Sequence, residues 1–435
     1  MSKISVGCLS VGFSATRLRL RLLRSRSTRA LCVALGGVAL AVAAPSFAAQ
    51  VNWPQTYLGA GHMSYNGAET TISASNISGL QLLWGQGVAG GVTAFALDAG
   101  TIYAQGQGQG SNDPNLAAID AATGATLWTV TTGNDGTGGN GIAIGGGFVF
   151  AGCSFDDPGG STAYGAVCAY RHSNGHLVWH FANPCNCLPE AAVIAPLVYS
   201  DGVVYFGYGN GGAGGSEYLV AVDATSGDVL WTYVTGTSNT MGSAPVTVGN
   251  GMVYFTCGGN QFSGICAISQ STQELVWSYN FGTGTMGLTL GGNVLYVNAG
   301  AAGEFAALNA TTGALLWTVA GNSSAFPVSL AKGIIYATGS DGYVHALHAS
   351  NGHQLWSAYL ASTSSVSLAN GVLYDEQQGS NNPPTAAYAV SDGSLLWSVA
   401  APASTLHPPP LIANGTLYIT NASCGSVCAY RLPGG

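Results

Sequence analysis

From residue 81 onward, apolar and polar residues alternate in runs of four to six, and many of the runs end at Asp-Gly, Asn-Gly or Gly-Gly. One stretch shows the pattern. Pro327-Val328-Ser329-Leu330 is followed by a turn at Ala331-Lys332-Gly333 and then by Ile334-Ile335-Tyr336-Ala337. After a variable loop come Val344-His345-Ala346-Leu347, a glycine turn and Gln354-Leu355-Trp356. A period of two, β-branched and aromatic content and Gly-bearing turns predict strands joined as hairpins. No segment carries a helical period.

The four-strand phrase repeats. Trp84, Trp128, Trp179, Trp231, Trp277, Trp317, Trp356 and Trp397 each follow a Leu or Val, at spacings of 39 to 52 residues. That interval suits a four-stranded propeller blade. Seven complete units end at Trp128 through Trp397. Three strands remain at the C-terminal end (410–412, 416–420 and 427–431), and one lone strand, 81–85, precedes all the others. Three plus one makes an eighth blade. The expected fold is therefore all-β, an eight-bladed β-propeller of four-stranded blades whose ring closes by pairing the N-terminal strand with the C-terminal blade, which removes open sheet edges. Each tryptophan is expected to fill the wedge between adjacent blades.

The first fifty residues follow another pattern. Arg17, Arg19, Arg21, Arg24, Arg26 and Arg29 precede the apolar run from Ala30 to Ala43, and Ser46-Phe47-Ala48 offers a cleavage site. This order predicts a secretory signal peptide over 1–48, a lead-in over 49–80 and the propeller over 81–435. A periplasmic or extracellular location follows, with no membrane attachment after cleavage. Cleavage removes seven of the ten basic residues, leaving Arg171, Lys332 and Arg431 against eighteen carboxylates, a formal charge of −15. So acidic a surface excludes nucleic acid as a partner and anionic lipid as a docking site. Crowded carboxylates are also expected to hold their protons more readily when folded, which would suit an acidic exterior.

Eight cysteines remain after cleavage. Cys153/Cys168, Cys257/Cys266 and Cys424/Cys428 each bracket the loop between second and third strands of one blade, so local disulfides are expected. Cys185 and Cys187 form either a C-x-C bridge or partners of other pairs. Zinc is disfavoured, because no pair of C-x-x-C knuckles is present and no histidine stands beside the cysteines.

Ala118-Ile119-Asp120-Ala121-Ala122-Thr123-Gly124 with Trp128, and Ala221-Val222-Asp223-Ala224-Thr225-Ser226-Gly227 with Trp231, resemble the tryptophan-docking motif of quinoprotein dehydrogenases. Ala307, Asn309, Gly313 and Trp317 match with one change. Trp53-Pro54 through Tyr65-Asn66 to Leu80 resembles the lead-in of the same superfamily, the quinoprotein (PQQ)-like propellers. That resemblance implies a quinone stacked on a tryptophan under an adjacent-cysteine disulfide, with a cationic partner, calcium and a catalytic Asp. The chain departs from each requirement. Eight tryptophans belong to the repeat and Trp53 to the lead-in, no Cys-Cys occurs, and the three basic residues fall on the turns opposite the long loops. No C-x-x-C-H haem motif occurs. No cofactor is predicted, and PQQ with calcium is disfavoured.

In such a ring, the inter-blade loops and the second-to-third strand loops share one face, here called the top. Rigid loops on a scaffold are where function concentrates. Top-face acids are Asp113, Asp135, Asp156, Asp157, Glu190, Glu217, Asp375 and Glu376, expected as solvated loop charges because they lack dense ligand spacing. His172, His176 and His180 are interrupted by a turn and do not form a metal set. The leading functional class is a binding scaffold whose top face holds a protein, glycan or small-molecule ligand, as in the propeller subunit of the outer-membrane barrel assembly machine. The alternative is a secreted enzyme, similar either to acid-active tetrathionate hydrolases or to quinoprotein alcohol dehydrogenases.

Overall fold

A computed structural model describes residues 52–106, 115–132, 141–156, 163–181, 192–193, 196–209, 216–237, 246–259, 262–282, 286–299, 303–324, 326–360, 365–376, 384–400 and 408–434. The segment 1–48 and the candidates Asp113, Asp135, Asp157, Glu190, Cys185 and Cys187 lie outside the described residues.

The architecture is all-β, broken among the described residues only by 3-10 turns at Ile77–Gly79 and Ala422–Cys424. Unit 1 consists of Val92–Asp98, Thr101–Gly106, Leu116–Asp120 and Thr126–Val130, paired antiparallel in chain order. The same four-strand order recurs over 142–181, 198–237, 247–280, 286–320, 329–359 and 367–400, here units 2 to 7. A single parallel bridge between Gly236 and Gly258 joins units 3 and 4. In unit 8, Leu411–Ala413, Thr416–Thr420 and Val427–Arg431 are completed by Gln81–Gln86. The first strand after the lead-in thus pairs with the last strand of the chain.

Every fourth strand carries a register shift just before its tryptophan. In unit 1, Ala118 faces Trp128 and Ile119 faces Thr126, so Leu127 is the extra residue of a bulge. Such residues turn outward, and Leu83, Leu127, Leu230 and Leu316 are all exposed. A bulge on the outermost strand twists the edge and discourages edge-to-edge pairing.

The core lies between units rather than within them. Eight buried clusters each combine side chains of two consecutive units with one repeat tryptophan. One of these sets Trp84, Leu411 and Tyr418 of unit 8 against Phe95, Leu97 and Ile102 of unit 1. The tryptophans also carry polar contacts across the seam. Trp84 Nε1 donates to Ala121 O at 3.1 Å, Trp128 to His172 O at 3.1 Å and Trp277 to Ala310 O at 3.0 Å. The second-strand tyrosines Tyr418, Tyr103 and Tyr254 donate to the same three carbonyls. Each carbonyl lies in the turn of the next unit, and the glycine of that turn sits under the indole. A Cβ on Gly227 would stand 2.6 Å from Trp179, and φ there is +77°. Glycine is required on both counts.

Candidate functional site

The inner strands present backbone edges that need hydrogen-bond partners. Residues 53–66 supply them, unit by unit. Leu97 N donates to Trp53 O at 2.8 Å, Ile144 N to Pro54 O at 2.7 Å and Tyr199 N to Gln55 Oε1 at 3.0 Å. Val248 N then donates to Ala60 O and Leu290 N to Gly61 O, both at 2.8 Å. Leu330 N donates to Met63 O at 3.0 Å and Leu368 N to Ser64 O at 2.8 Å. Asn66 Nδ2 reaches Ile412 O in unit 8 at 2.7 Å. The path curves tightly, with positive φ at Tyr57, Leu58, Gly59, His62 and Ser64. All these contacts lie near the first-to-second strand turns, away from the long loops.

His62 is buried with Nδ1 3.1 Å from Thr247 Oγ1, and burial holds its imidazole down to about 3. Inner-strand hydroxyls tie neighbouring units here: Thr247 Oγ1 donates to Leu288 O at 3.3 Å, Thr289 Oγ1 to Val328 O at 2.7 Å, and Ser329 Oγ to Val366 O.

A second girdle lies at the opposite ends of the second strands, toward the long loops. Two residues beyond the second-strand aromatic, Gln105 Nε2 donates to Gly152 O at 2.6 Å and Asn298 Nδ2 to Thr338 O at 3.2 Å. At the same register Glu376 accepts from Thr420 N at 2.8 Å and from Thr420 Oγ1 at 2.5 Å. Each bond runs to the equivalent residue of the next unit.

Three of the sequence-predicted acids therefore need correction. Glu217, Asp375 and Glu376 are strand residues, 1%, 0% and 2% exposed, rather than solvated loop charges. The strands run further than the turn signals suggest, and Glu376 replaces water with the backbone of the adjoining unit. Asp375 takes the position held by Ala104, Ala151, Phe206, Phe255, Val297, Ala337 and Ile419 in the other units. Its side chain lies on the face opposite Tyr374 and Glu376, shared with Leu373, which packs against Tyr336 and Val344 of unit 6. Glu217 belongs to unit 3, so the structure does not bring it into one constellation with the unit 7 pair. Asp156 is the last residue of Phe148–Asp156.

The expectation of raised carboxyl pKa values fails at four resolved positions. Asp120, Asp223 and Asp392 are held low by hydrogen bonds from the backbone and hydroxyls of their own turns. At Asp341 desolvation is the largest single influence and pushes upward, but bonds from Asn322 and Tyr343 N together with the nearby His345 bring the carboxyl low. Local turn chemistry, rather than long-range repulsion, sets these groups.

Cys153–Cys168, Cys257–Cys266 and Cys424–Cys428 are disulfides, with Cα–Cα separations of 5.9, 5.8 and 6.1 Å. All three staple the loop-bearing ends of units 2, 4 and 8. His172 faces Asp98 at 3.3 Å, and His176 and His353 are exposed. Among the described residues no group of three or more His, Cys, Asp or Glu is placed to hold a metal ion, and no helix is long and apolar enough to cross a membrane.

Among the described residues, the tryptophans and basic side chains are not arranged to hold a quinone. All eight repeat tryptophans sit in inter-unit clusters, and Trp53 is buried in the lead-in. Arg171 ends a third strand, Arg431 ends another and bonds Asn414 O, and Lys332 occupies a first-to-second strand turn. All three basic groups are at the end away from the disulfides, where they cannot meet an anionic ring system among the long loops.

Repeat, blade pairing and inter-unit indoles define a PQQ-like β-propeller, and the chain belongs to that family: the family described as outer membrane protein assembly factor BamB matches residues 68–256, 215–373 and 340–432. Among individual proteins, the chain is 24% identical over 395 residues to a tetrathionate hydrolase of Acidithiobacillus ferrooxidans, a match spanning 85% of this chain and 68% of that one. Its fold is similar to quinohemoprotein alcohol dehydrogenase from Comamonas testosteroni, with TM-score 0.68, 15% identity and coverage of 88% and 81% of the two chains. It is also similar to BamB from Moraxella catarrhalis, with TM-score 0.59, 15% identity and coverage of 81% and 99%.

Proposed function

We propose that this is an exported propeller hydrolase acting on tetrathionate or a closely related sulfur-chain dianion, with its site at the disulfide-stapled end of a closed, eight-bladed ring. The observation that carries the reading is the match to tetrathionate hydrolase along 85% of the chain. It is supported by a buried carboxyl, Asp375, at a register that the other seven units fill with apolar side chains. What supports the closed ring is the pairing of Gln81–Gln86 with Val427–Arg431 and the passage of one short lead-in along the inner strands of all eight units in order. Export rests on the signal pattern of residues 1–48, and the staples suit an oxidising exterior.

Hydrolysis of a sulfur–sulfur bond needs water, a proton acceptor or donor and tolerance of anionic charge. Asp375 supplies a carboxyl for that role, and because it is fully buried, proton exchange requires water or substrate to reach it from the loop-bearing end of unit 7. The mature charge of −15 opposes a dianion at neutral pH, and it falls away as carboxylates protonate, so turnover is expected to favour acid.

A binding scaffold is the second reading, favoured by the fit to BamB along 99% of that chain. Purified mature protein separates the two when incubated with tetrathionate at pH 3 to 5 without added cofactor. Loss of tetrathionate supports the hydrolase. Inertness toward tetrathionate, with turnover of alcohols once pyrroloquinoline quinone and calcium are added, would overturn it. Inertness in both assays would leave the scaffold.

A further inference from the structure

Residues 53–66 touch every unit and satisfy the inner-strand edges that the four-stranded sheets leave open. Seven equivalent inner-strand positions, Leu97, Ile144, Tyr199, Val248, Leu290, Leu330 and Leu368, point their N–H groups at this one segment. The segment begins on unit 1 and ends on unit 8 after only fourteen residues, so it runs along the inner strands of all the units in order. Both of its ends are pinned. Asn52 Nδ2 donates to Asp98 Oδ1 at 2.5 Å and Asn52 Oδ1 accepts from Ala99 N at 3.1 Å. At the other end Glu69 accepts from Thr71 N, Ile72 N and Gly415 N at 2.6, 3.1 and 2.9 Å.

We propose that residues 53–66 are a built-in stopper that seals the mouth of the central channel on the turn side, so that ligand enters and leaves only at the disulfide-bearing end. The claim of a channel rests on the closed-ring reading above. The stopper is held chiefly by backbone bonds, with Trp53 and His62 buried as its side-chain anchors. It seats an imidazole that stays neutral down to about pH 3, so it adds no cation to the channel floor. A one-ended well also explains why the three described disulfides share one end: that is the rim past which every ligand must travel.

Hydrogen exchange on the mature protein tests the seal without reference to activity. The amides of Leu97, Ile144, Val248, Leu290, Leu330 and Leu368 should exchange about 100-fold or more slowly relative to unprotected peptide. Replacing Asn66→Ala, or Trp53→Ala with Asn66→Ala, should speed these six while Tyr103 and Tyr254 in the second strands stay protected. Fast exchange of the six in the unaltered protein would overturn the stopper. The route of entry is read separately by attaching bulky polyethylene glycol maleimide to single introduced cysteines. Modification at Met63→Cys, on the exposed side of the stopper, should leave tetrathionate turnover unchanged. Modification at Ser340→Cys, in the second-to-third strand loop of unit 6, should slow it. The reverse result would place the entrance at the turn side. If the unmodified protein lacks turnover, the hydrolase reading fails, and exchange still decides the stopper.

Discussion

The carboxylate of Glu376 holds the backbone N–H and the hydroxyl of Thr420 at once, at 2.8 and 2.5 Å, across the seam between units 7 and 8. Gln105 and Asn298 also bridge seams at the equivalent register, but as amides that donate to the backbone carbonyls of Gly152 and Thr338. The unit 7–8 seam therefore depends on a buried carboxyl group. Truncating one partner of such a pair strands the other. Glu376→Ala should cost about 2–4 kcal/mol of unfolding free energy, and Glu376→Gln about half as much, because an amide oxygen still accepts from Thr420 N. Chemical denaturation of both variants checks the ranking.

Acid should weaken the fold through His62. Its folded pKa, about 3, lies below its ordinary value of 6.5, so the unfolded chain binds the proton first. Stability contributed by the neutral imidazole is complete above pH 6.5 and declines as pH falls toward 3, by roughly 1.4 kcal/mol per pH unit. Asp120, Asp223, Asp341 and Asp392 act with the same sign, adding stability above the ordinary carboxylate range that is lost below it. The melting temperature at pH 4 should lie below that at pH 7, and His62→Gln should flatten the dependence. An unchanged slope in that variant would remove His62 from the account.

Two glycines with the same left-handed backbone should respond differently to a methyl group. Gly251, at φ +73°, has nothing within 4 Å of the new Cβ, whereas Gly227 meets Trp179. Gly251→Ala should cost about 1 kcal/mol from backbone strain alone, and Gly227→Ala about 3 kcal/mol or more because the indole must also move. Denaturation midpoints check the difference, and altered near-ultraviolet circular dichroism in Gly227→Ala alone would locate it at the indole.

The sheet order was legible because each unit repeats a side-chain phrase ending in tryptophan, and the partition of the last blade between both ends of the chain follows from counting those phrases. The three described disulfides follow equally from cysteines that bracket a hairpin. The lead-in was legible only as a segment. Its docking uses N–H and C=O groups that every residue carries, so no letter pattern marks which unit each residue meets. The acids misled for a different reason. Asp375 and Glu376 precede a long Gly-, Asn- and Pro-rich stretch and read as its beginning, although Gln105, Asn298, Thr338 and Thr420 already mark the register of Glu376 as polar. Asp375 offers no such repeat, since its counterparts are all apolar.

The proposed catalytic site, as distinct from the sequence match that carries the hydrolase reading, depends most on that residue. The decisive measurement is the initial rate of tetrathionate loss at pH 3 to 5 for the mature protein, Asp375→Asn and Glu217→Gln, each first shown by circular dichroism to be folded. The account predicts turnover by the unaltered protein, at least a 100-fold loss in Asp375→Asn, within the range expected for removing an acid–base group, and little change in Glu217→Gln, which belongs to unit 3. Full turnover by folded Asp375→Asn would contradict the site, and no turnover by the unaltered protein would contradict the function.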